Sequence, residues 1–280
     1  MDGETRSVNA GNIHLRSITV NRSRPWPDTF PFNVPIIASL TSIEFSSPVT
    51  FLVGENGSGK STFLEAIACA VGSIAVGSES VETDRTLAAV RSLANDFRLT
   101  WSKKTRRGFF MRSEDFFGYA RRMAKVREDL QEHLQEVERE YEGRSETARH
   151  YARMPYVQEL GEMKRDYGQD LNARSHGESY LTLFQRRFVP GGLYLLDEPE
   201  APLSPIRQLS FLALLKSMVD QDAQLIIATH SPIIMAFPEA VILSCDRGTL
   251  EKVNYDELEH VHITKDFLDN PRRYLKHLLE

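Results

Sequence analysis

One short segment constrains this chain more than any other. Gly54-Glu55-Asn56-Gly57-Ser58-Gly59-Lys60-Ser61 fits the pattern G-x-x-x-x-G-K-[ST] in full. The apolar run Thr50-Phe51-Leu52-Val53 precedes it and reads as a strand, and a helix is expected after it from about Ser61 to Val71. Strand, glycine loop and helix form the context in which this pattern cradles phosphate. The glycines let successive backbone N–H groups turn inward, and the positive end of the following helix adds to their field. Gly54, Glu55, Asn56, Gly57, Ser58 and Gly59, with Thr62 just beyond, are therefore the expected phosphate contacts. Lys60 reaches the outer phosphates, and Ser61 ligates Mg²⁺. The plain alternative is a glycine turn before a core helix, and the flanking strand and helix weigh against it.

Three further segments fit the same chemistry. Leu193-Tyr194-Leu195-Leu196 is an apolar strand that ends in Asp197 and Glu198. Buried parallel strands look like this, and ligands bind beyond their carboxyl ends. Asp197 is a candidate Mg²⁺ ligand, and Glu198 is a candidate base for an attacking water. A solvated acidic turn is the competing reading, since Glu200 follows closely. Ile226-Ile227-Ala228-Thr229-His230-Ser231-Pro232 puts His230 just past another apolar strand, where a neutral imidazole can meet a terminal phosphate. Ser175-His176-Gly177-Glu178-Ser179 lies upstream of the acidic strand. Ser175 and Glu178 have capping-box spacing, so a helix is expected to start there and to offer a second phosphate-binding surface with Gly177.

The rest of the chain supplies the frame. Ile13–Arg16 and Ile43–Phe45 alternate like strands, and Pro25, Pro27, Pro31 and Pro35 between them predict irregular chain. Phe97–Trp101 and Phe109–Arg112 read as a second pair of strands. From about 113 to 172 the composition turns rich in Glu, Arg and Gln. Met123, Val126, Leu130, Leu134, Val137 and Tyr141 then recur on one helical face, with Gly143 and Pro155 as breaks. That stripe is too short for a free coiled-coil arm and predicts a helical insert packed on the sheet. Leu225–Thr229 and Val241–Ser244 read as strands, and Gln208–Val219 as the clearest helix. Alternating strands and helices predict an α/β chain with a mainly parallel sheet, taken as one domain over 1–280 with an N-terminal antiparallel β portion.

Composition excludes several classes. A net charge of −5 gives no support to nucleic-acid binding by charge alone. The basic stretch Arg106, Arg107, Arg121, Arg122, Lys125 and Arg127 reads first as a solvated face and second as a DNA contact. The longest apolar run, Ala66–Val71, is far short of the roughly 20 residues a membrane span needs. The polar start Met1-Asp2-Gly3-Glu4-Thr5 is unlike a secretory signal, and Cys69 and Cys245 form no pattern, so a cytoplasmic location is expected.

Taken in order, the four motifs resemble the ABC-type ATPases. Gly54–Ser61 looks like Walker A, Ser175–Ser179 like the signature, Leu193–Glu198 like Walker B, Glu200–Ser204 like the D-loop and His230 like the switch histidine. The loop, Arg107–Glu114 and the tail Thr264–Pro271 are similar to small stand-alone bacterial predicted ATPases catalogued in the AAA family. The resemblance implies an ABC-type P-loop NTPase fold, ATP with Mg²⁺, and catalysis by Glu198, His230 and Lys60. Ser175, Gly177 and Glu178 of one copy would close on the ATP of another in a head-to-tail homodimer that acts on a protein or DNA partner. A transporter subunit, or a switched binding module with slow hydrolysis, are the alternatives. The chain departs from the pattern at His176, Glu178 and Ser204, and it lacks the expected Q-loop glutamine. Glu114 is the candidate replacement as a third Mg²⁺ ligand, while Trp26, Phe30 and Phe32 are candidates to stack on adenine.

Overall fold

A computed structural model describes residues 13–23, 25–76, 81–167 and 176–279. Its strands are β1 (Leu15–Val20), β2 (Ser42–Glu44), β3 (Val49–Val53), β4 (Phe97–Trp101), β5 (Phe110–Arg112), β6 (Leu193–Asp197), β7 (Gln224–Ala228), β8 (Val241–Ser244) and β9 (Glu251–Val253). Six of them form one sheet in the order β5-β6-β7-β3-β8-β9. β9 runs antiparallel to β8, and the other pairings in this sheet are parallel. The runs VTFLV, LYLLD and QLIIA are buried along their whole length, as strands covered on both faces must be.

Alternate residues of these strands feed two apolar layers. Leu52, Leu195, Ile226 and Leu243 face α2 (Lys60–Val71) through Phe63, Leu64 and Ile67. Phe51, Tyr194, Leu196 and Ile227 turn the other way. They meet Tyr180 and Phe184 of α6 (His176–Arg187) and Phe211 and Leu215 of α7 (Pro205–Asp220). Each of these side chains, fully buried, contributes roughly 1.5–3 kcal/mol.

The antiparallel portion is a second sheet of order β2-β1-β4. β4 and β5 are therefore not partners as expected from the sequence. β4 pairs with β1, while β5 joins the parallel sheet beside β6. One buried amide docks the two sheets. Gln224 Oε1 accepts from the backbone N–H of His14 (2.9 Å) and Leu15 (2.7 Å), and its Nε2 donates to Leu15 O at 2.9 Å. The proline-rich segment also holds a short helix, α1 (Pro35–Ser39), because Pro35 stands in the first turn, where its missing N–H costs nothing.

The helical insert is a hairpin of α4 (Ser113–Glu140) and α5 (Glu146–Tyr167) packed on each other. Gly143, at φ +83°, makes the turn, but Pro155 lies inside α5 instead of ending it. The Arg153–Glu138 ion pair (3.6 Å) and the stacking of His133 on Tyr156 flank that proline and hold α5 against α4. After β7 come the short α8 (Pro232–Met235), then α9 (Glu259–Asp269) and α10 (Pro271–Leu279), which end the described chain. Among the described residues no helix is long and apolar enough to cross a membrane.

Candidate functional site

The carboxyl ends of β3, β6, β7 and β8 converge on the glycine loop. Gly54 and Gly59 adopt φ +142° and +98°. A Cβ at Gly54 would stand 2.7 Å from Asp246 Oδ1, and one at Gly59 would stand 2.5 Å from Val34 Cγ1. Neither position takes a larger residue, so the loop keeps its backbone N–H groups turned inward. Gly59 then caps α2, and Lys60 opens the helix. The Lys60 ammonium is buried and donates to Gly54 O at 2.7 Å and Glu55 O at 2.9 Å. Burial lowers its pKa, although Cys245, Asp197 and Glu198 all pull the other way.

Asp197 ends β6 in register with Ala228 of β7 and Arg112 of β5. Its Oδ1 is buried without a hydrogen-bond partner, and Ser61 donates to its carboxylate. Burial pushes its pKa up to about 7. The Ser61 hydroxyl and the Asp197 carboxylate are oxygen donors of the kind a hard divalent cation takes. Among the described residues no group of three or more His, Cys, Asp or Glu side chains forms a ready-made metal cage.

Glu198 takes the left-handed conformation at φ +50°, and its N–H donates to Ala228 O at 2.8 Å. This anchors the residue and leaves the carboxylate half exposed, 3.8 Å from His230 Nε2. His230 N donates to Glu200 Oε1 at 2.6 Å. Burial lowers the His230 pKa, with Lys60 adding to the effect, so the imidazole is neutral at pH 7. A half-exposed carboxylate, a neutral imidazole and a buried ammonium thus stand within one small region, a set able to hold phosphate and move a proton.

The structure brings Lys60, Ser61, Asp197, Glu198 and His230 together. Glu55, Asn56 and Gly57 form the exposed outer turn of the loop, and Thr62 follows on α2. Gly177 and Glu178 lie in the first turn of α6, and Ser175 lies outside the described residues. Glu114 is 74% exposed and pairs with Arg112 at 3.4 Å. Trp26 packs on Phe32 at 5.1 Å and under the Arg22 guanidinium, while Phe30 is 53% exposed.

Two neighbours of the site had no motif to announce them. Asp246, just past β8, accepts from the Glu55 N–H at 2.7 Å. Its place beyond the carboxyl end of a strand was the available signal. Arg112, at the end of β5, is held among four carboxylates: Asp115 (2.9 Å), Asp84 (3.0 Å), Glu65 and Glu114 (both 3.4 Å). Only the fold brings Glu65 and Asp84 to it.

Parallel strands, the glycine loop at their carboxyl ends and the paired acids of β6 define a P-loop nucleotide-binding domain with the motif order of ABC-type ATPases. The chain belongs to the AAA domain family, whose model matches residues 33–186, just over half of its length. No curated protein matches it. Among solved structures it is similar to the Smc head domain of Pyrococcus furiosus, with a TM-score of 0.45 and 12% identity over 92% of this chain and 99% of that one. It is also similar to cbiO1 from Clostridium perfringens, part of an ABC transporter complex, with a TM-score of 0.46 and 16% identity over 95% and 99%. At such identity the likeness concerns the fold alone.

Proposed function

We propose that this chain binds ATP on Gly54–Ser61 and hydrolyses it to ADP and phosphate with Mg²⁺. The observation that carries this reading is the buried Asp197 carboxylate, which has an unpartnered oxygen, a hydrogen bond from Ser61 and the Lys60 ammonium nearby. Loop carbonyls now occupy Lys60, and a phosphate is the stronger partner for an ammonium. Ser61 and Asp197 are the proposed Mg²⁺ ligands, and Glu114 would have to leave Arg112 to join them. Mg²⁺ supplies charge neutralisation at the phosphate oxygens. Glu198 takes a proton from water as its oxygen bonds to the γ-phosphorus and the bond to the bridging oxygen of ADP breaks. His230, neutral, donates a hydrogen bond to the γ-phosphate.

The reading extends to assembly. Ser175, Gly177 and Glu178 are the proposed second phosphate-binding surface, supplied by another copy across a two-fold axis. A protein or DNA partner would sense the closed pair, in a cytoplasmic setting. The half-exposed carboxylate of Glu198 beside His230 favours hydrolysis over a purely nucleotide-switched binding module.

Phosphate release from ATP tests the chemistry. Lys60→Ala should abolish release and weaken ATP binding strongly, because alanine leaves the outer phosphates without their ammonium. Glu198→Gln should hold ATP yet turn over roughly 10²- to 10⁴-fold more slowly. Full turnover by Lys60→Ala overturns the assignment. If Glu198→Gln works like the parent while His230→Ala does not, the base is His230.

A further inference from the structure

The segment matched by the family model stops at residue 186, well before α9. Yet α9 reaches the site. A cavity of about 880 Å³ opens between it and the loop, lined by Gly54, Glu55, His230, Asp246, His260 and Thr264. His260 Nε2 is buried and has no hydrogen-bond partner, as is also true of His230 Nε2 and Asp197 Oδ1. A buried polar atom without a partner is costly and rare, so three around one loop point to a missing ligand. The three residues stand far apart in sequence, on β6, after β7 and on α9.

The surrounding charge defines that ligand. Asp246, Glu55 and Lys60 all lie within electrostatic reach of His260, and His260 acts in turn on His230. The cavity takes in Gly54, Glu55 and His230 but not Lys60, Ser61 or Thr62, so it lies toward the start of the loop. A highly charged anion there meets the carboxylates of Glu55, Asp246, Glu251, Glu257 and Glu259 and needs neutral or cationic donors to offset them. His230, His260, Arg247 and Lys252 line that side and can donate, and Lys60 lies within electrostatic reach of His260.

We infer that His260 is a further nucleotide-binding residue, whose imidazole N–H is donated to the terminal phosphate of a nucleoside triphosphate held on the loop. The inference rests on the nucleotide reading above and adds to it. α9 becomes the wall that distinguishes a triphosphate from a diphosphate, since a ligand lacking the third phosphate leaves His260 without its partner.

Calorimetry on the full chain tests this, with the β,γ-imido analogue of ATP and with ADP, both with Mg²⁺. His260→Ala should weaken binding of the analogue roughly tenfold, the worth of one hydrogen bond to a charged group, and leave ADP binding unchanged. His260→Gln, which keeps an N–H donor, should recover part of the loss. ADP binding also serves as the control for folding. Equal weakening for both nucleotides, or for neither, overturns the inference and makes His260 a structural prop of α9. If the folded parent chain binds neither nucleotide, the underlying reading fails and takes this one with it.

Discussion

Asp197 shows how one side chain can be set against the fold that holds it. Burial raises its pKa to about 7, although Ser61 donates to it and Lys60 stands near. In the unfolded chain the same carboxyl titrates near 3.8. Between those values the folded chain holds a proton that the unfolded chain has released. The contribution of this group to stability is therefore full below pH 3.8, falls as the pH rises, and levels off above about 7. Asp197→Asn has no charge to bury. The nucleotide-free variant should be more stable than the parent at pH 8, by about 1–4 kcal/mol, and the gap should close toward pH 4. Urea midpoints at several pH values measure it, and a gap independent of pH would refute the burial argument. The same variant should lose the Mg²⁺ dependence of nucleotide binding. The acid itself was legible in the sequence because it ends an apolar run. Its dryness was not, since that depends on what β5, β7 and α2 place around it.

At the scale of elements, the junction of β5 and α4 illustrates the same division. The strand and the helix were both readable from apolar pattern and composition. That β5 leaves β4 and pairs with β6 was not, because strand pairing is a long-range choice that a local pattern does not record. Once β5 lies beside β6, Arg112 is brought against Asp84 from the segment before α3 (Ala88–Ala94), Glu65 on α2 and Asp115 on α4. The guanidinium ties the insert to the helix that carries the loop lysine. Arg112→Met would leave several carboxylates in dry surroundings with no cation, a loss of about 3–5 kcal/mol. Thermal unfolding should then begin on the order of 10 °C lower. Arg112→Lys should recover little, because one ammonium cannot bridge three acids as a planar fork does. An unchanged midpoint for Arg112→Met would show that the cluster is neutralised in some other way. Pro155 makes a related point: a helix breaker by local rule survives inside α5 because α4 holds the helix on both sides of it.

For the whole molecule, the proposed assembly makes a prediction of its own. If ATP joins two copies, Glu198→Gln with ATP and Mg²⁺ should run as a dimer in light scattering and as a monomer with ADP. Ser175→Arg should keep it monomeric while each copy still binds ATP. A Glu198→Gln chain that stays monomeric when saturated with ATP would rule out self-association and point to a different partner. The sequence by itself determined the class of protein, because the loop, the acidic strand end and the strand-end histidine are local patterns whose chemistry needs those residues at that spacing. Lys60, Ser61, Asp197, Glu198 and His230 could all be named before their distances were known. Only the tertiary structure decided which strands pair and that Gln224 docks one sheet on the other. It also decided that Asp246 and His260, without any motif, face the loop. The physical reason is range: a turn, a cap or an apolar strand is encoded by near neighbours, whereas a buried atom without a partner exists only after distant segments have packed around it.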